Sequence, residues 1–136
     1  MITHYKQQLT IDKESKHMQT LEQFFNSVGS NANDIIARLG GSSALVMRFL
    51  AKFPADENFG NLRKGLDAND TKAAFLAAHT MKGLCANLGI NSLFDKASSI
   101  TEHLRGGDID NAKTEFPALE TEYNRVLESL GDLLSQ

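Results

Sequence analysis

The sequence predicts an all-α chain, folded as an up-and-down antiparallel four-helix bundle with additional short N-terminal helices. Three features carry this. Only two prolines occur in 136 residues. The period-two alternation of a half-buried strand is almost absent, while apolar residues recur at spacings of three and four nearly throughout. The four longest periodic stretches, all after Asp56, are joined by very short connections, which forces consecutive helices antiparallel.

Each element has its own signals. Met18, Leu21, Phe25 and Val28 mark a first helix, ended by the residues from Gly29 to Asn31. Residues 1 to about 16 are weakly patterned, and 1–18 are set apart as an N-terminal arm or extra helical turn, leaving 19–136 as the bundle. A short helix over 33–39 closes on the doublet Gly40-Gly41, as expected at a helix C-terminus. Ser42 or Ser43 can cap the next helix, whose apolar face is Leu45, Val46, Phe49 and Leu50 and which Pro54 stops. A helix over about 56–67 carries Phe59, Leu62 and Leu66. Asp70 caps the following helix and Gly89 ends it; Asn91 caps one containing Leu93, Phe94, Ala97, Ile100 and Leu104, terminated by Gly106-Gly107. The last helix starts near Asp108 and runs through Leu119, Tyr123, Val126, Leu127, Leu130 and Leu134, with Pro117 expected to kink or divide it.

Composition narrows the function. The 41% hydrophobic and 23% charged content and a net charge of −3 are those of a soluble globular domain. Lys and Arg (14) are outnumbered by Asp and Glu (17) and scattered, so no nucleic-acid footprint is present. No apolar run approaches a membrane span, and the N-terminus lacks a hydrophobic signal segment. The single cysteine, Cys85, falls on an apolar helix stripe and reads as a small core residue in a reducing compartment. A cytoplasmic location is expected.

The chemistry concentrates in the helix between Asp70 and Gly89. On a wheel of roughly 100° per residue, Ala74, Ala78, Met81, Cys85 and Leu88 form one core-facing stripe. His79 falls on the order of 135° from its middle, pointing to solvent, with Lys82, Gly83 and Ala86 around it. Positions three and four apart are neighbours, so Lys82 supplies positive charge and Gly83 supplies room on the adjoining turn. Phe75 and Leu76, one turn back, make an exposed apolar rim of the kind that a docking partner covers. An exposed imidazole offers a ring nitrogen for attack on an acyl phosphate, and phosphoryl transfer needs chiefly positioning and positive charge.

The segment HTMKGLCANLG resembles the signature of histidine phosphotransfer (HPt) domains, in which a phosphoacceptor histidine is followed by Lys and Gly three and four residues on, then by a closing Leu-Gly. IIARLGG, FLAKFP, LRKGLDANDTKAAFLAAH and the LxxxAxxIxxxLRGGD helix sit in the expected order, so the resemblance spans about residues 20–134. It implies a helical bundle that shuttles phosphate between aspartyl-phosphorylated receiver domains without binding ATP. By that resemblance His79 is the phosphoacceptor, Lys82 stabilises the phosphate and Gly83 lets the receiver approach. The implied partners are response-regulator receiver domains, with a hybrid sensor histidine kinase as a further candidate. No cofactor is expected on this chain, and Mg²⁺ is expected on the partner receiver. One departure stands out: where many members place a Gln or other polar residue to hydrogen-bond the imidazole, this chain has Thr101, whose hydroxyl can donate and accept and is a candidate contact to the imidazole or the phosphate. The expected docking face is Phe75, Leu76 and Ala86.

Rival readings are weaker. A metal site in a bundle would need inward Glu and Glu-x-x-His motifs on paired helices, and no such repeat exists; Glu102 and His103 are adjacent and diverge. Neither a Gly-rich phosphate loop nor a nucleophile elbow is present, which argues against an ATP-dependent kinase and a hydrolase. His4 and His17 read as solvated, and His103 has no company comparable to that of His79. The alternative from another class is a non-catalytic helical adaptor that binds receivers through the same rim.

Overall fold

Side-chain caps and glycine stops punctuate the chain into helices. The computed structural model describes residues 19–135, which hold seven α-helices and one 3-10 turn: α1 (Leu21–Ser27), α2 (Ala32–Arg38), α3 (Ser43–Lys52), the turn Phe53–Ala55, α4 (Asn58–Asp67), α5 (Thr71–Leu88), α6 (Asn91–Arg105) and α7 (Ile109–Leu134). No strand occurs among the described residues. The proposed arm over 1–18, with Met18, His4 and His17, lies outside them.

The local signals act as expected at most ends. Thr20 and Gln23 form a reciprocal capping box on α1, and Asn31, Ser42, Asp70 and Asp108 each accept a backbone N–H at the start of their helices. Such a cap contributes about 1 kcal/mol. At the α5 stop, Gly89 has φ 72° and an added Cβ would lie 2.4 Å from Ile35 Cδ1. Both the left-handed backbone and the close approach of α2 require glycine there.

Three elements differ from the expectation. Asn91 does not cap α6: Ile90 takes that position without a side-chain bond, and Asn91 Nδ2 instead donates to the Gly29 carbonyl at 2.7 Å, tying the exit of α1 to the start of α6. Pro117 does not divide the last helix, which runs unbroken from Ile109 to Leu134. A proline forfeits one intrahelical bond, and the packing of α7 outweighs that loss: Leu119, Tyr123, Val126, Leu130 and Leu133 are all buried. Phe49, expected on the inner face of α3, is 37% exposed, while Phe53 in the following turn is buried.

The last four helices pack in sequence, α4 on α5, α5 on α6 and α6 on α7, and α7 also touches α4; α4 is no longer than α3, each having 10 residues. That last contact is aromatic. Phe59 stacks on Tyr123 with centroids 4.0 Å apart and on Phe116 at 5.3 Å, while Arg63 lies over Phe59 and pairs with Glu120. Between α4 and α5 the approach is closer still, because Gly65 sits where a Cβ would be 2.7 Å from the Ala74 backbone nitrogen. The short helices gather where α5 turns into α6: Ile35 lies against Gly89, Ser92 N–H donates to the Val28 carbonyl, and Arg38 donates to the Ala86 carbonyl.

Candidate functional site

The predicted stripe of α5 is the buried one. Ala74, Ala78, Met81, Cys85 and Leu88 all belong to the core, joined by Ala77. Burial, with Asp56 adding a smaller effect, pushes the Cys85 thiol up to about 12, so it is an inert neutral core group. Because the stripe fixes the helix's rotation, the opposite face is presented to solvent. His79 is exposed on it, Lys82 is half-buried and Gly83 is exposed. Nothing lies within 4 Å of where a Cβ on Gly83 would stand. The imidazole is therefore approachable from the side that glycine leaves bare.

The expected exposed rim is exposed only in part. Leu76 is 65% exposed, and Phe75 and Ala86 are half-buried. Leu76 also lines a groove of about 430 Å³ between α4 and α5, with Asn61, Lys64 and Asp70 among its walls. Phe75 lies against His79, its ring centroid 5.6 Å from that of the imidazole and the planes 10° apart. That geometry is offset stacking.

Thr101 is not brought to this ring. It is 0% exposed, on the core side of α6, and its hydroxyl donates to the Ala97 carbonyl at 2.6 Å. A threonine inside a helix has that carbonyl within reach one turn back, and in a core no water competes for the bond. The reading of Thr101 as the imidazole's hydrogen-bond partner is therefore corrected.

Sequence reasoning missed the residue of α6 that does reach the site. The Arg105 guanidinium lies 5.0 Å from the centroid of Phe75, within cation–π range, and its Nε donates to Glu102 Oε2 at 3.2 Å. In sequence Arg105 reads as an ordinary basic residue of a last helical turn, so only the packing of α6 on α5 reveals it. Arg38 of α2 reaches the same face from the other end, its Nη2 donating to the Ala86 carbonyl at 3.2 Å. Arg38 at the Ala86 carbonyl, Arg105 over Phe75 and Lys82 on α5 itself thus place cations from three helices around this face of α5, an arrangement that favours an incoming anionic group.

His103 has a partner after all. Its Nε2 pairs with Glu115 Oε2 at 2.6 Å, joining α6 to α7. Ser99 and then His103 hold the Glu115 carboxyl below its ordinary range. This is a structural link between helices. Among the described residues no group of three or more His, Cys, Asp or Glu is placed to hold a metal ion, and no helix is long and apolar enough to cross a membrane.

Among the described residues every regular element is helical, and α5 exposes His79 beside half-buried Lys82 and the bare Gly83. The Hpt domain family model matches residues 19–129, and the chain belongs to that family. Hpt domains carry out histidine phosphotransfer in phosphorelays and interact there with receiver domains. Neither a curated protein nor a solved structure matches the chain.

Proposed function

We propose that this chain relays a phosphoryl group between aspartyl-phosphorylated receiver domains, with His79 as the phosphoacceptor. The observation that carries the reading is the exposed His79 ring flanked by half-buried Lys82 and by the open space over Gly83. In the forward step a lone pair on one ring nitrogen forms the N–P bond as the P–O bond of the receiver's acyl phosphate breaks. The electron pair leaves on the receiver's carboxylate, and the proton stays on the other ring nitrogen. The reverse step delivers phosphate to a second aspartate. Charge accumulates on the equatorial oxygens during transfer, and the Lys82 ammonium lies one turn away to offset it.

Docking supplies the rest. Mg²⁺ and the reacting aspartate come from the receiver, which covers Phe75, Leu76 and Ala86 as it seats on His79. We read the scaffold as an up-and-down antiparallel four-helix bundle of α4 to α7, which is supported by their short connections and the closing contact of α4 with α7. We place the relay in the cytoplasm, in keeping with an unpaired, buried cysteine.

The test is incubation of the full chain with phosphorylated receiver domains from the same organism, read as acid-labile phosphate. Wild-type protein takes label reversibly, His79→Gln takes none while keeping its helicity, and neither is labelled by ATP and Mg²⁺ alone. Labelling of His79→Gln, or autophosphorylation from ATP, overturns the proposal. Receiver binding without any transfer selects the adaptor reading instead.

A further inference from the structure

An exposed side chain on a helix is ordinarily free to distribute over several rotamers, with χ2 of a histidine broad and roughly two-fold. In-line transfer requires the reacting nitrogen in one of these orientations at the moment of docking. Something must therefore select it. The hydrogen bond that the family pattern suggests is not made here, since the Thr101 hydroxyl is committed to the Ala97 carbonyl. Among the described residues no hydrogen bond to the His79 ring takes its place; the ring's partner is Phe75.

We propose that this chain positions its phosphoacceptor by aromatic stacking, with Phe75 as the positioning residue for His79 and Arg105 as the cation that holds Phe75 in place. This rests on the reading of His79 as acceptor. Phe75 and His79 are one helical turn apart, so their side chains lie on the same strip of α5. Their planes are 10° from parallel at 5.6 Å, a stacked arrangement that restricts the rotation of the imidazole about χ2. Arg105 reaches across from α6 to lie over Phe75 and is itself tethered to Glu102. The series Glu102, Arg105, Phe75, His79 thus couples the ring's orientation to the packing of α6 on α5. An aromatic pair of this geometry weights a rotamer roughly two- to tenfold, and the same factor is expected in the rate of transfer to His79.

The test uses the full chain with Phe75→Leu, Phe75→Tyr and Arg105→Gln, and two readouts that need no receiver. One is the chemical shift of the His79 ring protons by NMR, which a stacked phenyl displaces upfield. The other is the rate of labelling by phosphoramidate, a small donor whose P–N bond breaks to release ammonia as the imidazole N–P bond forms. Phe75→Leu should lose the upfield shift and label roughly two- to tenfold more slowly. Phe75→Tyr should keep both properties, and Arg105→Gln should move both in the direction of Phe75→Leu. Unchanged ring shifts in Phe75→Leu, or lost shifts with unchanged labelling, overturn the proposal, as does a defect seen only with receiver donors, which assigns Phe75 to docking. If Phe75→Leu does not fold, Arg105→Gln decides by the same two readouts. A wild-type chain labelled at His79 by neither phosphoramidate nor receivers overturns the acceptor reading itself, whatever the ring shifts show.

Discussion

Replacing Gly83 should stabilise the fold and impair the function. The residue lies inside α5, five positions before its last residue, Leu88, in ordinary helical backbone. Glycine in a helix interior costs about 0.8–1.0 kcal/mol against alanine, through the backbone freedom that it loses on folding. An added Cβ at Gly83 meets nothing within 4 Å, so no packing penalty offsets that gain. Gly83→Ala should therefore raise the unfolding free energy by about 0.8–1 kcal/mol. With a urea m-value of roughly 1–3 kcal/mol/M, the midpoint rises by roughly 0.3–1 M. Gly83→Gln should retain most of the gain, since glutamine is also a good helix former. Function should move the other way. The Cβ of residue 83 stands about 5–6 Å from that of His79 on the same face, and the glutamine side chain fills the approach to the imidazole. Urea titration followed by helical circular dichroism gives the first quantity, and the rate and affinity of transfer from a phosphorylated receiver give the second. Transfer by Gly83→Gln should fall about tenfold or more, mostly through weaker docking. Lower stability of Gly83→Ala, or wild-type transfer by Gly83→Gln, would refute this account.

Gly65→Ala should have the opposite effect on stability, because its Cβ would lie 2.7 Å from Ala74 N and 2.9 Å from Ala74 Cα, backbone atoms that cannot yield without parting α4 from α5. The overpacking cost of about 1–3 kcal/mol exceeds the propensity gain, and thermal unfolding should show a lower midpoint. Lys82→Ala should slow transfer about tenfold and leave receiver affinity close to wild type, because the ammonium acts on charge that develops during transfer; equal loss in both would refute the assignment. Leu76→Asp should weaken receiver binding without loss of thermal stability, since the side chain is 65% exposed; unaltered affinity would remove Leu76 from the docking face. At alkaline pH the raised Cys85 pKa acts through the unfolded state. The unfolded thiol ionises near 9.0 and the folded one near about 12, so its stabilisation is complete below pH 9 and declines between the two values. Three pH units correspond to about 4 kcal/mol. Cys85→Ala should flatten the stability profile in that window, and an unchanged slope would contradict the burial argument.

Periodicity and capping are properties of neighbours in sequence, and they were sufficient for the helices and for the outward direction of His79. The apolar stripe of α5 sets the helix's rotation, so the exposure of His79 and the placing of Lys82 and Gly83 beside it followed from residues within two turns, whereas the half-burial of Lys82 did not. The same locality explains the rim of Phe75 and Leu76 and the stop at Gly89. What crosses between helices was not available in this way. Arg105 becomes part of the site only because α6 packs on α5 and carries its guanidinium over Phe75. His103 gains Glu115 from α7, and Asn91 gives up its capping role for the Gly29 carbonyl at the end of α1. Thr101 shows the competition most directly. Its sequence position suited a partner for His79, but rotation of α6 buries it, and a buried hydroxyl with a backbone carbonyl one turn back bonds there. Pro117 yields to tertiary structure for the complementary reason, since the apolar surface that α7 buries outweighs one lost hydrogen bond. Local pattern settles which residue faces solvent and with which neighbours on its own helix. The tertiary structure decided which side chains of other helices reach that residue, because such contacts depend on the relative rotation and closeness of packed helices, which no local pattern encodes.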